Sequence, residues 1–372
     1  MTNHPTKKLG EVIELKYGRG ISQNDRKPDG KYPVYGANGI LDHTDKYLVE
    51  GVAIIVGRKG SAGEITKVSG KFWSSDVTYY VLANDKIDID YLFYFFQNIN
   101  LKQFASGVKP GINRNQVYNL EIPLPSLETQ KKIVAKLDVL LGKIKEAKKL
   151  RAEAQESTNN LLSAELNKIF TEGKAKGWEE KELGKVTEVV GGGTPSTLVS
   201  NYWNGDVVWV TPKDLGRLNS DTVTSSLKGI TQKGLEKSSA KLLPKGSVVL
   251  SSRAPIGYVA IAGTPLATNQ GCRSFVCKEN LYNRFLYYFL IYSRELLKAG
   301  GSGSTFSEIS GSKLKKIKIL LPPLSEQKKI VAHLDSLSEN INKIQEDQTQ
   351  TADDLTTLEQ SILHKAFQGE LV

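Results

Sequence analysis

Two stretches of the chain place apolar residues at alternating steps of three and four, the spacing that keeps them on one face of an α-helix. In the later stretch the series runs Ile330, Leu334, Leu337, Ile341, Ile344, Gln348, Thr351, Leu355, Leu358, Ile362. Eight of its ten positions are apolar, enough to predict a seam of coiled-coil type with a polar break at Gln348 and Thr351. The earlier stretch repeats the pattern more weakly, with Ile133, Leu137, Leu140, Ile144 and Leu161 on the seam and its polar break near Arg151, where the later stretch has Gln348. Pro125 and the pair Pro322–Pro323 stand just before the two helices, where they stop a strand from running on. Gly173 and Gly369 follow the last turns, as helix ends favour.

The two helices are copies of one another. Gln130 to Ala135 and Gln327 to Ala332 both read QKKIVA, and the offset of 197 residues holds from Pro125/Pro322 to Phe170/Phe367. The segments before them also correspond. Leu9-Gly10 and Leu183-Gly184 open each one, and a β-branched run follows a glycine at Gly51 and at Gly246. An arginine and a glycine turn come next, then an aromatic helix (Tyr91 to Gln97; Phe285 to Tyr292), a Gly/Ser loop and an exit strand (Leu120 to Leu124; Ile317 to Leu321). Short β-branched runs bounded by Gly and Pro, with few helices, predict α+β globules with a mixed sheet. The expected order is a globule at 1–125, a helix at 126–172, a globule at 173–322 and a helix at 323–372. Two matching seams in one chain bury each other most simply as an antiparallel, pseudo-twofold pair.

Composition narrows the function. Residues 1–125 carry 16 basic and 13 acidic side chains, 126–172 carry 9 and 7, 173–322 carry 21 and 11, and 323–372 carry 4 and 9. The net charge of +10 therefore rests mainly on the second globule, which suits contact with a polyanion. No apolar run approaches the ~20 residues of a membrane helix, and the N-terminus lacks a secretory core. Two cysteines build no disulfide framework, so a cytoplasmic protein is expected. There is no phosphate-binding GxxxxGK loop, no Asn/Asp-Pro-Pro-aromatic methylation motif and no cluster of metal-ligand type, so no catalysis and no cofactor of its own is expected.

The exit strand, proline and QKKIVA helix, found twice, resemble the specificity subunit of type I restriction-modification enzymes. So do Thr211-Pro212-Lys213-Asp214-Leu215, Ser252-Arg253-Ala254-Pro255-Ile256-Gly257 and Thr268-Asn269-Gln270-Gly271. The first globule departs from that pattern at Gly57 to Gly63 and Ser74-Ser75-Asp76. The resemblance implies target-recognition domains that each read one half of a bipartite site on double-stranded DNA. It further implies helices that set the spacer and dock two methyltransferase subunits, with restriction/translocase subunits joining. Those partners would use S-adenosylmethionine, ATP and Mg. Two other classes fit parts of the sequence: a scaffold of two adaptor domains on a coiled coil that binds only proteins, and a component of a type II-like methyltransferase or nuclease, which the missing methylation motif disfavours.

The duplication also sorts candidate contacts. Globules that read different half-sites share scaffold and phosphate contacts and differ where they read bases. Arg58 and Arg253 fall at corresponding places, which assigns them to phosphate or to the fold. Nearly all the extra length of the second globule lies between Thr194 and Lys245, so its polar loops are the better base readers. The expected DNA-binding set is Arg19, Tyr35, Asn38, Arg58, Lys59, Lys109 and Arg114 in the first globule. In the second it is Thr211, Lys213, Arg217, Arg253, Asn269 and Gln270.

Overall fold

The computed structural model describes residues 4–301 and 308–371; residues 302–307, in the expected Gly/Ser loop of the second globule, lie outside that set. The chain forms two compact units, Met1–Glu153 with Gln348–Val372, and Ala154–Asp347. These units do not follow the four-part linear division, because each combines a globule with parts of both long helices. Among the described residues no helix is long and apolar enough to cross a membrane.

In the first unit a four-stranded antiparallel sheet runs in the order Lys16–Tyr17, Thr78–Leu82, Ala53–Gly57, Ile65–Val68. Every residue of Ala53–Gly57 is buried, as a β-branched run at the centre of a sheet requires. A second sheet orders Gly39–Thr44, Tyr32–Gly36, Lys71–Ser74 and Val49–Glu50, with a parallel pair at Val34–Trp73. The entry strand Thr6–Lys8 pairs antiparallel with the exit strand Glu121–Pro123, closing the globule just before the helix Leu127–Glu172. The second unit repeats this plan. Its central sheet orders Thr187–Gly191, Cys272–Cys277, Val248–Ser251 and Val259–Ala262, and adds Thr222–Val223 at the edge. That fifth strand comes from the extra stretch after Thr194. Entry strand Glu179–Glu182 pairs with exit strand Lys318–Leu321 ahead of the helix Leu324–Gln368.

Each long helix is gripped at its start by the same device. Gln130 is 0% exposed; its amide oxygen accepts from the Asp88 backbone N–H at 2.8 Å and its amide nitrogen donates to the Pro125 carbonyl at 2.9 Å. Gln327, also 0% exposed, accepts from the Tyr282 N–H at 2.8 Å and donates to the carbonyls of Pro322 and Asn280, both at 2.9 Å. Both glutamines thereby satisfy the N-cap N–H, of Asp88 or Tyr282, that opens the aromatic helix Ile89–Asn98 or Asn283–Tyr292. One turn or two further on, Tyr94 donates to Asp138 in one unit, and Tyr288 donates to Asp335 at 2.7 Å in the other.

The end of the other long helix completes each core. Phe367 packs against Tyr91 and Phe95 at ring distances of 5.0 and 5.3 Å. Phe170 packs against Phe285, Phe289 and Tyr292 at 5.3, 5.5 and 5.0 Å. Gly369 adopts the left-handed conformation (φ +81°) expected of a helix-ending glycine. Gly173 serves differently: a Cβ there would stand 2.3 Å from the Trp178 ring, so the glycine makes room for that buried indole.

Within each unit the two helix segments run antiparallel. Lys148 pairs with Glu359 and the Lys136 ammonium donates to the Leu371 carbonyl at 2.5 Å in one unit; His333 meets Glu165 at 3.1 Å and Gln345 meets Asn159 at 2.9 Å in the other. Of the expected seam, Ile133, Leu137, Ile144, Leu334 and Ile341 are buried, and Leu140, Ile330, Leu337, Leu355 and Ile362 are half-buried. Three positions depart from the expectation: Leu161 is 44% exposed, Ile344 41% and Leu358 48%. An α-helix drifts ~20° per heptad against a strict 3.5-residue repeat, or roughly 80° over the four heptads from Ile133 to Leu161. The inward line accordingly passes to Leu162, which packs on the core of its unit.

Replacing Gln327 by Leu should lower stability by ~2 kcal/mol or more, because buried backbone groups lose their partners. Lys328→Ala, on the exposed next position, should stay within ~0.5 kcal/mol. Urea unfolding of the two variants decides between this and a merely space-filling glutamine.

Candidate nucleic-acid interface

In the first globule the central strand ends at Gly57, and the chain turns back so that Gly63 N–H donates to the Gly57 carbonyl at 2.8 Å. A Cβ on Gly57 would stand 2.2 Å from the Ser61 carbonyl oxygen and 2.9 Å from that of Ala37. Only glycine lets the hairpin tip Ala37-Asn38 come this close. Arg58 follows; its guanidinium donates twice to the Asp76 carbonyl (3.1 and 2.6 Å) and lies 5.5 and 5.9 Å from the ring centres of Tyr17 and Tyr79. Arg114 opens the short helix Arg114–Tyr118, over Tyr17 at 5.0 Å and Tyr118 at 5.6 Å, with its Nε buried and without a hydrogen-bond partner among the described residues. Two guanidiniums thus share one tyrosine platform, where the ring faces offset part of their mutual repulsion.

The remaining expected residues gather along the same edge. Lys59 bridges to Gly111, and the Gly60 N–H donates to the Pro110 carbonyl at 3.0 Å, which brings exposed Lys59 and Lys109 onto adjoining loops. Arg19 is exposed, with its backbone fixed between the Ser74 carbonyl and the Trp73 indole, each at 2.8 Å. Tyr35 is only half available: its ring edge packs on Phe72 at 5.9 Å, and burial raises its phenol above the ordinary value. It belongs as much to the small core under the second sheet as to the surface.

The second globule builds the corresponding edge from other side chains. Thr211 caps the turn Pro212–Leu215: its hydroxyl accepts from Asp214 N–H, and the Asp214 carboxylate accepts from Thr211 N–H in return. That reciprocal cap commits the hydroxyl we expected to meet DNA, while Lys213 and Arg217 beside it are exposed. Asn269 is likewise spent locally, its side-chain oxygen accepting from Gly271 N–H at 2.9 Å; Gln270 is exposed and accepts from Thr194. Arg273, absent from the expected set, lies at the centre. Its guanidinium donates to the carbonyls of Gln270 and Cys272, both at 3.0 Å, and to Glu308 at 3.1 Å. Arg253 reaches the other oxygen of Glu308 at 3.6 Å.

The ladders correct one sequence alignment. Arg58 N–H donates to Val77 O and its carbonyl accepts from Ile112, whereas in the second globule those two bonds belong to Ser252, with Gly271 and Ile309. Lys59 bridges to Gly111 as Arg253 bridges to Glu308. Arg253 therefore corresponds to Lys59, and Arg58 to the buried Ser252. The one-residue slip was invisible because both arginines precede similar glycine turns. By the same strand pairing Tyr17 corresponds to Gly191 and Tyr79 to Arg273. Tyr17, Tyr79, Arg273 and Glu308 were all missed, since nothing in their spacing marks them; strand register alone brings them to the edge. Cys272 and Cys277 take no part, both thiols being pushed up to about 12 by burial.

Comparison with known proteins agrees over nearly the whole chain. Residues 2–156 and 175–352 match the model described as type I restriction modification DNA specificity domain. The MjaIX type I restriction enzyme specificity subunit of Methanocaldococcus jannaschii is 43% identical over 173 residues, covering 45% of this chain and 40% of that relative. The EcoR124I/EcoR124II specificity subunit of Escherichia coli is 30% identical over 281 residues, 71% of this chain and 66% of that one. The chain thus spans well under two thirds of the first relative's length. Among solved structures, the HsdS subunit from Thermoanaerobacter tengcongensis is similar with a TM-score of 0.64 at 25% identity, covering 99% of this chain and 97% of that one. A chain from a structure of the type I R-M system has a TM-score of 0.77 at 26% identity, over 99% and 98%.

The cap assignment predicts that Thr211→Val costs ~0.5–2 kcal/mol of stability, as loss of an N-cap does. Thermal melting reads this directly; an unchanged melting temperature with weakened ligand binding would return Thr211 to the contact set.

Proposed function

We propose that this chain, which belongs to the family of type I restriction modification DNA specificity domains, is the subunit of such a system that reads double-stranded DNA, one half-site per globule. The observation that carries this reading is that two edges built on the same ladder bear different cations. Arg58 and Arg114 stand on tyrosines in one globule, and Arg253 and Arg273 stand about a carboxylate in the other. A shared frame with exchanged polar groups is what two readers of different sequences require. The exposed Asn38, Lys213, Arg217 and Gln270 are our candidates for base contact, and Arg19, Lys59 and Lys109 for phosphate.

The long helices have two roles in this proposal. Their 46 and 45 residues set the number of unread base pairs between half-sites, and their exposed apolar side chains, Val139, Leu150 and Leu358 among them, receive two methyltransferase subunits. Those partners, with restriction/translocase subunits, supply S-adenosylmethionine, ATP and Mg chemistry in the cytoplasm; this chain contributes recognition and no catalysis.

Exchange of residues 1–125 for those of a relative should change one half of the methylated motif and leave the other intact. Methylome sequencing reads the outcome, and simultaneous change of both halves would refute independent reading. Insertion of seven residues after Lys148, matched by seven in the second helix, should lengthen the pair by ~10 Å and add about three unread base pairs. An unchanged spacer with binding intact would remove the helices from that role.

A further inference from the structure

We propose that Arg253 and Arg273 form a phosphodiester-binding site whose present occupant is the protein's own Glu308, so that this carboxylate must swing aside when DNA binds. The inference rests on the DNA reading above and goes beyond it, since no property of the family as a whole decides which arginine pair is internally neutralised. Glu308 Oε1 lies 3.1 Å from Arg273 and Oε2 lies 3.6 Å from Arg253, one oxygen to each guanidinium. Two oxygens bridging two guanidiniums is the arrangement a phosphate offers. Glu308 and Arg253 are each about one-third exposed, so the bridge is reachable and weakly held. Arg273 does not depend on it. Its other nitrogen donates to two backbone carbonyls, of Gln270 and Cys272, which keep the guanidinium in place when the carboxylate leaves.

The first globule supplies the comparison. The position of Glu308 is taken there by Gly111, which bridges to Lys59 as Glu308 does to Arg253. No carboxylate stands at that point, and the cations Arg58 and Arg114 rest on tyrosines and a carbonyl. One globule therefore presents its cations without a carboxylate partner and the other presents them masked by one. The masked globule is the one with the larger positive excess, where sequence-independent adhesion to any duplex would otherwise be strongest. A carboxylate that competes with phosphate costs non-cognate binding as much as cognate binding. Base contacts made only on the correct site then decide whether it is displaced.

The test is the salt dependence of full-chain binding to a mixed-sequence 40-base-pair duplex. Glu308→Gln should tighten binding several-fold at low salt and steepen the slope of log affinity against log salt by about one, the increment for one more phosphate neutralised. Gly111→Glu should do the reverse in the first globule. A Cβ at Gly111 would have nothing closer than 3.5 Å, so the substitution fits without displacing the backbone. Glu279→Gln, beyond the other end of strand Cys272–Cys277, removes the same charge away from the edge and should leave the slope unchanged.

Unchanged or weaker binding by a folded Glu308→Gln would overturn the proposal, because Glu308 would then merely order its arginines. An equal gain in Glu279→Gln would also overturn it, by assigning the effect to bulk charge. Should Glu308→Gln fail to fold, Gly111→Glu still decides: unchanged binding there defeats the idea. Absence of any salt-dependent duplex binding by the unaltered chain would instead sink the DNA reading itself.

Discussion

A buried amide at the head of each long helix is the constraint on which the rest of the structure depends. Gln130 and Gln327 are wholly enclosed, and each joins the N-cap N–H of an aromatic helix to the proline carbonyl that precedes the long helix, Gln327 adding the Asn280 carbonyl. Because the bonds are buried, they are costly to leave unmade and fix direction as well as contact. The globule cannot turn on its helix without breaking them. Phe367 and Phe170 then close the same cores from the far end of the partner helix. Each core is therefore completed by two segments widely separated in sequence, which is why neither globule with its own helix forms a compact unit.

With the frame held in this way, the edges are free to diverge. Gly18 and Gly192 occupy matching places, and a Cβ on either would strike a backbone oxygen about 2 Å away, at Ser75 and Asn269 respectively. Close backbone approach at these points is a property of the fold and repeats. The residues that line the edges do not repeat: Tyr79 becomes Arg273 and Gly111 becomes Glu308. A stacked pair of guanidiniums and an ion-paired pair are two physical solutions to holding like charges together, one by ring quadrupoles and one by a carboxylate. They differ in how they respond to an incoming anion.

The helix pair is less oily than its sequence pattern. Lys148–Glu359, Glu165–His333 and Asn159–Gln345 join the segments to either side of the expected polar break at Arg151 and Gln348. Polar rungs specify register more sharply than they stabilise it, since a slipped pair would leave them unmatched. The apolar side chains displaced outward, Leu161 and Ile344 in one unit and Leu358 in the other, leave each helix segment with exposed apolar surface.

The sequence by itself determined the duplication, the two long helices to within a residue at their starts, and the α+β character of the globules. Those features are written in short-range periodicity, and the 197-residue repeat makes each copy a check on the other. It also named most residues of the two edges, because glycine turns and polar loops carry local signatures. Only the tertiary structure decided which of them meet. The slip that pairs Arg253 with Lys59, the tyrosine platform under Arg58 and Arg114, and the carboxylate between Arg253 and Arg273 all depend on strand register. Register is fixed by pairing between distant segments, and a shift of one residue reverses which side chains face outward. The partial failure of the seam has the same origin: a heptad pattern is local, but the line along which two helices touch is set by what holds their ends.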